Sequence, residues 1–284
     1  MKYVFMRYPG GLAKAVTFSY DDGAASDIRL CDTLTAHGMK GTFNLVGSDV
    51  EARRCLSLDY VREGMLGRGH EVTNHGYLHR AMDCIRMADA IAEVLDGRRV
   101  LERELGILVR AYTYADRCLR ADESPEIYAR VRPILEDLGI TYARTAGADN
   151  DRFDLPTDFY QWMPTAHDRN PQILEWIDRF CALDVRSLYV AEQRPRLFFV
   201  WGHSHEFDHC GTWDRFEEIC RRLSGHADIW YATCGEIYDY VLAFRSLVFS
   251  ADGLTVYNPT LIPVFLEVDG RPVIVPSAAT VSLA

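Results

Sequence analysis

The chain has 284 residues, 48% of them apolar and 25% charged, with a formal net charge of −10. That balance is the one of an ordinary globular protein and excludes long disordered stretches. The acidic excess, with no basic stripe, excludes a nucleic-acid backbone as partner, because such binding needs clustered Lys and Arg. No apolar run stays free of charge for the roughly 18 residues that a membrane span needs. Residues 1–10 lack both a long apolar run and a small-residue cleavage site, so no export signal is expected. The eight cysteines contain no Cys-x-x-Cys pair, which argues against a structural zinc site and favours free thiols in a reducing cytoplasm.

Residues 14–20, Lys-Ala-Val-Thr-Phe-Ser-Tyr, are β-branched and aromatic and are stopped by Asp21-Asp22-Gly23. This predicts a buried strand that delivers both aspartates at its C-terminal edge. Helical spacing over 28–37 ends at Gly38, 41–46 reads as a strand, 61–66 as helical, and 70–73 as a strand that places His75 just past its end. Residues 82–105 give the longest helical pattern, followed by a strand over 107–112. A helix over 124–138 has Pro125 just inside its start and Gly139 after its end, and a short strand follows at 141–144. Segments at 173–181, 197–201, 213–223, 229–233 and 236–244 continue the alternation.

Strand and helix in alternation call for an α/β fold with a parallel sheet, and about seven units predict a (β/α) barrel. After residue 244 the texture changes to alternating segments at 246–250, 254–257, 264–268 and 273–275, separated by Asp-Gly at 252–253 and 269–270. These are β-hairpin signals. The expected division is a barrel over residues 1–245 and a small antiparallel β appendage over 246–284.

His75 and His79 close the stretch Gly69-His-Glu-Val-Thr-Asn-His-Gly-Tyr-Leu-His79. Two imidazoles and a carboxylate from Asp-Asp-Gly can hold a divalent metal on three sides and leave positions open for water and substrate. Asp21, Asp22, His75, Tyr112 or Tyr114, and His203 all fall at C-terminal ends of predicted strands, where barrel active sites sit. Gly76, Tyr77 and Leu78 separate the histidines, so a general base has to come from elsewhere. One of the adjacent aspartates can ligate while the other takes a proton, and Asp21 is the nearest candidate for the second role.

Each position also has a plainer reading. Asp21 could be a turn residue or helix cap, and His70 reads as a structural donor within its strand. His203, His205 and His209 crowd one loop with Glu206 and Asp208. That loop could hold a second metal, or a single functional His203 oriented by Glu206 or Asp208. His167 either lines the pocket or lies on the surface. Trp162, Trp201 and Trp213 either form a stacking platform for a ligand or belong to the core.

Thr17-Phe-Ser-Tyr-Asp-Asp-Gly23 and Gly69 to His79 resemble the first two motifs of the polysaccharide deacetylase family, carbohydrate esterases related to the nodulation chitooligosaccharide deacetylase. In order and spacing the resemblance covers residues 14–240. It implies a distorted β/α barrel, Asp21 as general base, and Asp22, His75 and His79 as ligands of one divalent metal. Zinc is the first choice, before cobalt, nickel or manganese. Phe198-Phe-Val-Trp-Gly-His203 resembles the fifth motif, which would make His203 the acid that protonates the leaving amine.

Two motifs depart from the family. The third, Arg-x-Pro-Tyr-Gly, stands here as Arg110-Ala-Tyr-Thr-Tyr-Ala115; aligning Tyr114 with the family tyrosine leaves Arg110, the tether of the base, one residue out of step. The fourth, Asp-x-x-Asp-Trp, stands as Asp158-Phe-Tyr-Gln-Trp162, with Gln161 in place of the second carboxylate.

The expected activity is metal-dependent removal of an N-acetyl group from an amino sugar or oligosaccharide. The backbone N–H of Tyr114 would hold the oxyanion, and Arg110, Trp162, His167 and Trp201 would contact substrate. A hydrolase of another carbon–nitrogen bond in a small, even cyclic, amide is the alternative of the same class. A carbohydrate-binding protein without turnover is the alternative of another class.

Overall fold

A computed structural model describes residues 2–54, 56–116, 118–147 and 149–284. The strands are β1 (Val4–Arg7), β2 (Lys14–Asp21), β3 (Thr42–Leu45), β4 (Glu71–Asn74), β5 (Ala111–Thr113), β6 (Tyr142–Arg144), β7 (Ala166–His167), β8 (Arg196–Gly202), β9 (Ile229–Tyr231), β10 (Val248–Phe249), β11 (Thr255–Tyr257), β12 (Val264–Val268), β13 (Arg271–Val275) and β14 (Thr280–Ser282). The α-helices are α1 (Asp27–Ala36), α2 (Gly47–Glu51), α3 (Met87–Leu105), α4 (Pro125–Asp137), α5 (Ile173–Ala182), α6 (Ser204–Cys210), α7 (Trp213–Leu223) and α8 (Cys234–Arg245).

The central sheet is parallel and runs β6-β5-β4-β3-β2-β8-β7, with β9 also on β2. β2 is its axis and is buried along its whole length. β8 pairs with one edge of β2, while on the other edge β9 takes Lys14–Val16 and β3 takes Ser19–Asp21. Burial on both faces explains why the strand reads as a nearly continuous apolar run. Val16, Phe18 and Tyr20 join the cluster under α1, α5 and α7, and Ala15 on the opposite face joins the one with Phe199 and Trp162.

The sheet curls without full closure. β6 and β7 are not paired among the described residues; an isolated bridge joins Arg144 to Trp162 in the segment before β7, backed by Thr145 N–H donating to Trp162 O at 3.0 Å. The result is a curled α/β half-barrel with every strand's C-terminal end on one rim.

The C-terminal part forms two antiparallel sheets, β1-β12-β13 and β10-β11-β14. Asp269 (φ 48°) and Gly270 (φ 78°) make the tight β12–β13 turn, whose two positive φ values suit Asp-Gly. β1 belongs to this appendage although it opens the chain: Val4–Arg7 pairs with Val268–Phe265, and Arg7 forms a buried ion pair with Glu267 at 3.1 Å. The Tyr240 hydroxyl on α8 accepts from Phe265 N–H and donates to Arg7 O, which seats the sheet on the half-barrel.

Some local expectations shift. α3 begins at Met87 rather than at 82, the helical segment predicted at 61–66 is a π-helix over Tyr60–Met65, and the strand expected over 107–112 is Ala111–Thr113. Cys31, Cys118, Cys181, Cys210, Cys220 and Cys234 are free thiols, and Cys55 lies outside the described residues. Among the described residues no helix is long and apolar enough to cross a membrane.

Candidate active site

The strand ends carry the chemistry. Asp21 ends β2, Thr113 ends β5, Arg144 ends β6 and His167 ends β7, while His75 and His203 each stand one residue past β4 and β8. Asp22 turns away from the strand with φ 78°, its N–H held by Asn44 O at 3.0 Å. A left-handed conformation costs a non-glycine residue on the order of 1 kcal/mol. Here it points two consecutive carboxylates in different directions, Asp21 into the sheet and Asp22 across the mouth.

Asp22, His75 and His79 converge. The two Nε2 atoms are 3.2 Å apart, and Asp22 Oδ1 lies 3.6 Å from His75 Nε2 and 3.5 Å from His79 Nε2. A metal with bonds of about 2.0–2.1 Å in tetrahedral geometry separates its ligand atoms by roughly 3.3 Å, so this triangle has the size of one coordination face. The tautomers agree. His75 Nδ1–H donates to Thr113 O at 3.0 Å and His79 Nδ1 faces Asp116 Oδ1 at 3.4 Å, which leaves both Nε2 atoms as lone pairs. Burial also holds the His75 imidazole below its ordinary pKa and so keeps it neutral. Three lone-pair donors facing one another repel, and a cation between them removes the conflict. The donor set fits a divalent ion.

Asp21 is buried beside this triangle. Its Oδ1 accepts from Asn44 Nδ2 at 2.7 Å, and its Oδ2 accepts from Arg144 Nη2. Burial alone would raise the carboxyl, but Arg144 first, then His75, His203 and the Asn44 hydrogen bond outweigh it and hold Asp21 below the usual carboxylate value. Arg144 is itself fixed, its guanidinium carbon 4.7 Å from the centre of the Trp201 ring. His203 Nε2 stands 3.8 Å from Asp21 Oδ2 and 4.0 Å from Asp22 Oδ2, so an ionised carboxylate, an imidazole and the ligand triangle border the same space.

The other predicted residues are placed differently. Arg110 pairs with Asp239 on α8 at 2.8 Å and is not brought to Asp21; the out-of-step spacing turns it to the other end of the sheet. The Tyr114 N–H donates to Arg144 O at 3.1 Å and its hydroxyl to Tyr160 O, so it offers no free donor to an oxyanion. Tyr112 is core. Trp162 is buried among Tyr142, Phe159 and Phe199 and reaches no substrate. Gln161 accepts from Ala121 N–H and Asp158 caps its own turn, so this stretch is structural. Trp213 lies under Arg29 and donates to Asp208, which removes both from the site. Trp201 is half-buried at the mouth, 4.6 Å from the His167 ring and 5.9 Å from that of His203. His70 is tied to Thr35 and Gly41, and burial takes its pKa down to about 4, as a structural histidine requires.

His167, His203 and Glu206 form a second converging group. Its chemistry differs. His167 Nδ1 accepts from Arg169 N–H at 3.1 Å, which leaves the proton on Nε2, the atom 3.5 Å from Glu206 Oε2. Arg169 also pairs with Glu206 Oε1 at 3.2 Å, so the carboxylate already faces a cation. His205 and His209 follow along α6 and join neither group.

Sequence reasoning missed Arg144, Asn44 and Thr113. Their positions at or next to strand ends were the available signal, since residues at the C-terminal end of a barrel strand face the site. It also missed Asp27, the buried first residue of α1, whose carboxylate oxygens have no hydrogen bond of good geometry. Burial pushes this carboxyl up to about 8, with Ser204 lowering it and Asp21 and Asp22 raising it. The folded protein therefore holds a proton that the unfolded chain releases near pH ~4. Asp27 stabilises the fold fully below that pH, and the contribution is lost as pH rises through about 8. Asp27→Asn should flatten this dependence. Urea midpoints at pH 5 and 8.5 check it: the variant gains on the wild type at the higher pH, and an equal difference at both would exclude a protonated Asp27.

Fold and site together define an α/β half-barrel with a two-histidine, one-carboxylate centre at its mouth. The sequence matches the family model described as polysaccharide deacetylase over residues 7–143. Among solved structures it is similar to a Mycobacterium smegmatis protein assigned as a polysaccharide deacetylase, at 18% identity over 84% of this chain and 93% of that one, with a TM-score of 0.58. The allantoinase Puue is similar at 15% identity over 82% and 91%, with a TM-score of 0.59. A Pseudomonas aeruginosa PAO1 protein assigned as a polysaccharide deacetylase is similar at 14% over 82% and 92%, with a TM-score of 0.57. At such identities the likeness shows the fold. No match was found among curated proteins.

Proposed function

We propose that this protein is a metal-dependent hydrolase that removes the acetyl group from an N-acetylated amino sugar, free or in a short oligosaccharide. The observation that carries the reading is the ligand-sized triangle of Asp22, His75 and His79 bordered by an ionised Asp21 and by His203. The match of residues 7–143 to the polysaccharide deacetylase family model supports the reaction class.

Asp22, His75 and His79 would hold the divalent ion, which would supply Lewis acidity toward a water and the amide carbonyl. Asp21 takes the proton of the attacking water, and Arg144 and Asn44 keep its carboxylate ionised and aimed. As the carbon–nitrogen bond breaks, His203 Nε2 gives a proton to the departing amine. Water is thereby divided between acyl carbon and nitrogen, yielding acetate and a free amine, and no side chain bonds to the acyl carbon. Of the three tryptophans that could carry a sugar, only Trp201 faces the mouth, which favours one ring or a short chain over a long polymer.

The test is acetate release from N-acetylated mono- and oligosaccharides, with and without chelator. Release that stops on chelation and returns with zinc is expected. Undiminished release from the metal-free protein rejects the mechanism, and ring opening of a cyclic amide without any acetate moves the substrate to the small-amide class.

A further inference from the structure

We infer that Glu93, a buried carboxylate on α3, is a positioning residue that sets metal affinity by holding the backbone on both sides of His79; this rests on the metal reading above. One oxygen, Glu93 Oε1, accepts from Leu78 N–H at 2.8 Å and from Arg80 N–H at 2.9 Å, the amides that flank His79 in sequence. His79 sits between them at φ 58°, a conformation that a non-glycine residue leaves unless its neighbours are held. A shared acceptor fixes the 77–78 and 79–80 peptide planes, which bracket the Leu78–His79 pair, and therefore where the His79 imidazole points.

The rest of the loop shows why this anchor matters. His75 N–H is bound to Leu45 O, Gly76 N–H to Asn74 Oδ1, Gly47 N–H to Gly76 O, and Ser48 N–H to Tyr77 O. These bonds secure the chain as far as residue 77, and the two amides beyond it are secured by Glu93. The carboxylate lies so close that a Cβ on Gly76 would stand 2.5 Å from Oε1, and Gly76 itself adopts φ 87°. Glycine at 76 and glutamate at 93 are thus two halves of one fitting. His75 follows β4 directly, whereas His79 reaches the triangle only through this loop.

The test is a double-mutant cycle on zinc affinity, read by competition with a chelating dye, together with the cobalt d–d spectrum. The proteins are wild type, Glu93→Ala, His79→Ala and the double variant. Glu93→Ala should weaken zinc binding by about 10- to 100-fold and alter the cobalt spectrum, the range for loss of a group supporting a ligand. In the His79→Ala background the same change should cost less than about twofold, because its effect passes through His79. Glu93→Gln keeps an acceptor oxygen and should restore most of the affinity; should Glu93→Ala fail to fold, Glu93→Gln enters the cycle, with a loss of about three- to tenfold expected. Equal losses in both backgrounds, or none in either, would overturn the inference. A wild-type protein that binds neither ion overturns the metal reading itself, a separate result.

Discussion

Asp21→Asn should lower kcat by about 10²- to 10⁴-fold, the range for loss of a general base, while zinc content stays near one per chain. The substitution keeps the shape and removes the charge. Asn44 Nδ2 and Arg144 Nη2 both donate to the native carboxylate, so an amide at this position leaves one donor facing another. A stability loss of about 1–3 kcal/mol should accompany the kinetic effect. Acetate release measured beside metal analysis separates the two. Activity above a tenth of wild type at full metal content would remove Asp21 from its role.

Arg144→Met should have the next largest effect, and on the pH profile as well as the rate. Arg144 is the strongest of the influences that hold the Asp21 carboxyl down. Without it burial prevails, the Asp21 pKa rises, and the acidic limb of kcat/KM moves to higher pH. At pH 6 the variant should therefore be impaired more than at pH 8. Both side chains are buried, and removing one member of such a pair costs on the order of 3–5 kcal/mol. Arg144→Lys serves as the milder companion: it keeps a charge but loses the planar contact with Trp201 and should fall between. An acidic limb unmoved in both variants would show that Arg144 does not tune the base.

What the sequence revealed and what it hid follow from how local each signal is. The β2 run stopped by Asp-Asp-Gly, and His75 placed just after β4, are local patterns, and each predicted element delivers its residue to the rim. The Asp-Gly turns likewise announced the hairpins around β10 to β13. Arg144 was hidden because its partner Asp21 is 123 residues away and nothing in Tyr-Ala-Arg distinguishes it from a surface strand end. Arg110 drew attention through a motif shifted by one residue, but it stands one residue before β5, where it meets Asp239 on α8.

β1 escaped notice for a related reason. Four residues near the start of the chain carry no periodicity of their own, and their register with Val268–Phe265 exists only in three dimensions. Trp162 looked available because its burial depends on Phe199 and Tyr142 from distant strands. His79 was legible as a candidate ligand, but its left-handed backbone and the hydrogen bonds of its neighbours to Glu93 are features that spacing does not display.

The most direct test of the metal centre is quantitative metal analysis of the purified protein beside His75→Ala and Asp22→Ala. One divalent ion per chain in the wild type is expected, with zinc affinity down by at least about 100-fold in each variant, and with the wild-type melting temperature raised by added zinc as ligand binding to the folded state requires. Wild-type protein that takes up no ion at micromolar zinc, or variants that hold it as tightly as the wild type, would contradict a site built on Asp22, His75 and His79.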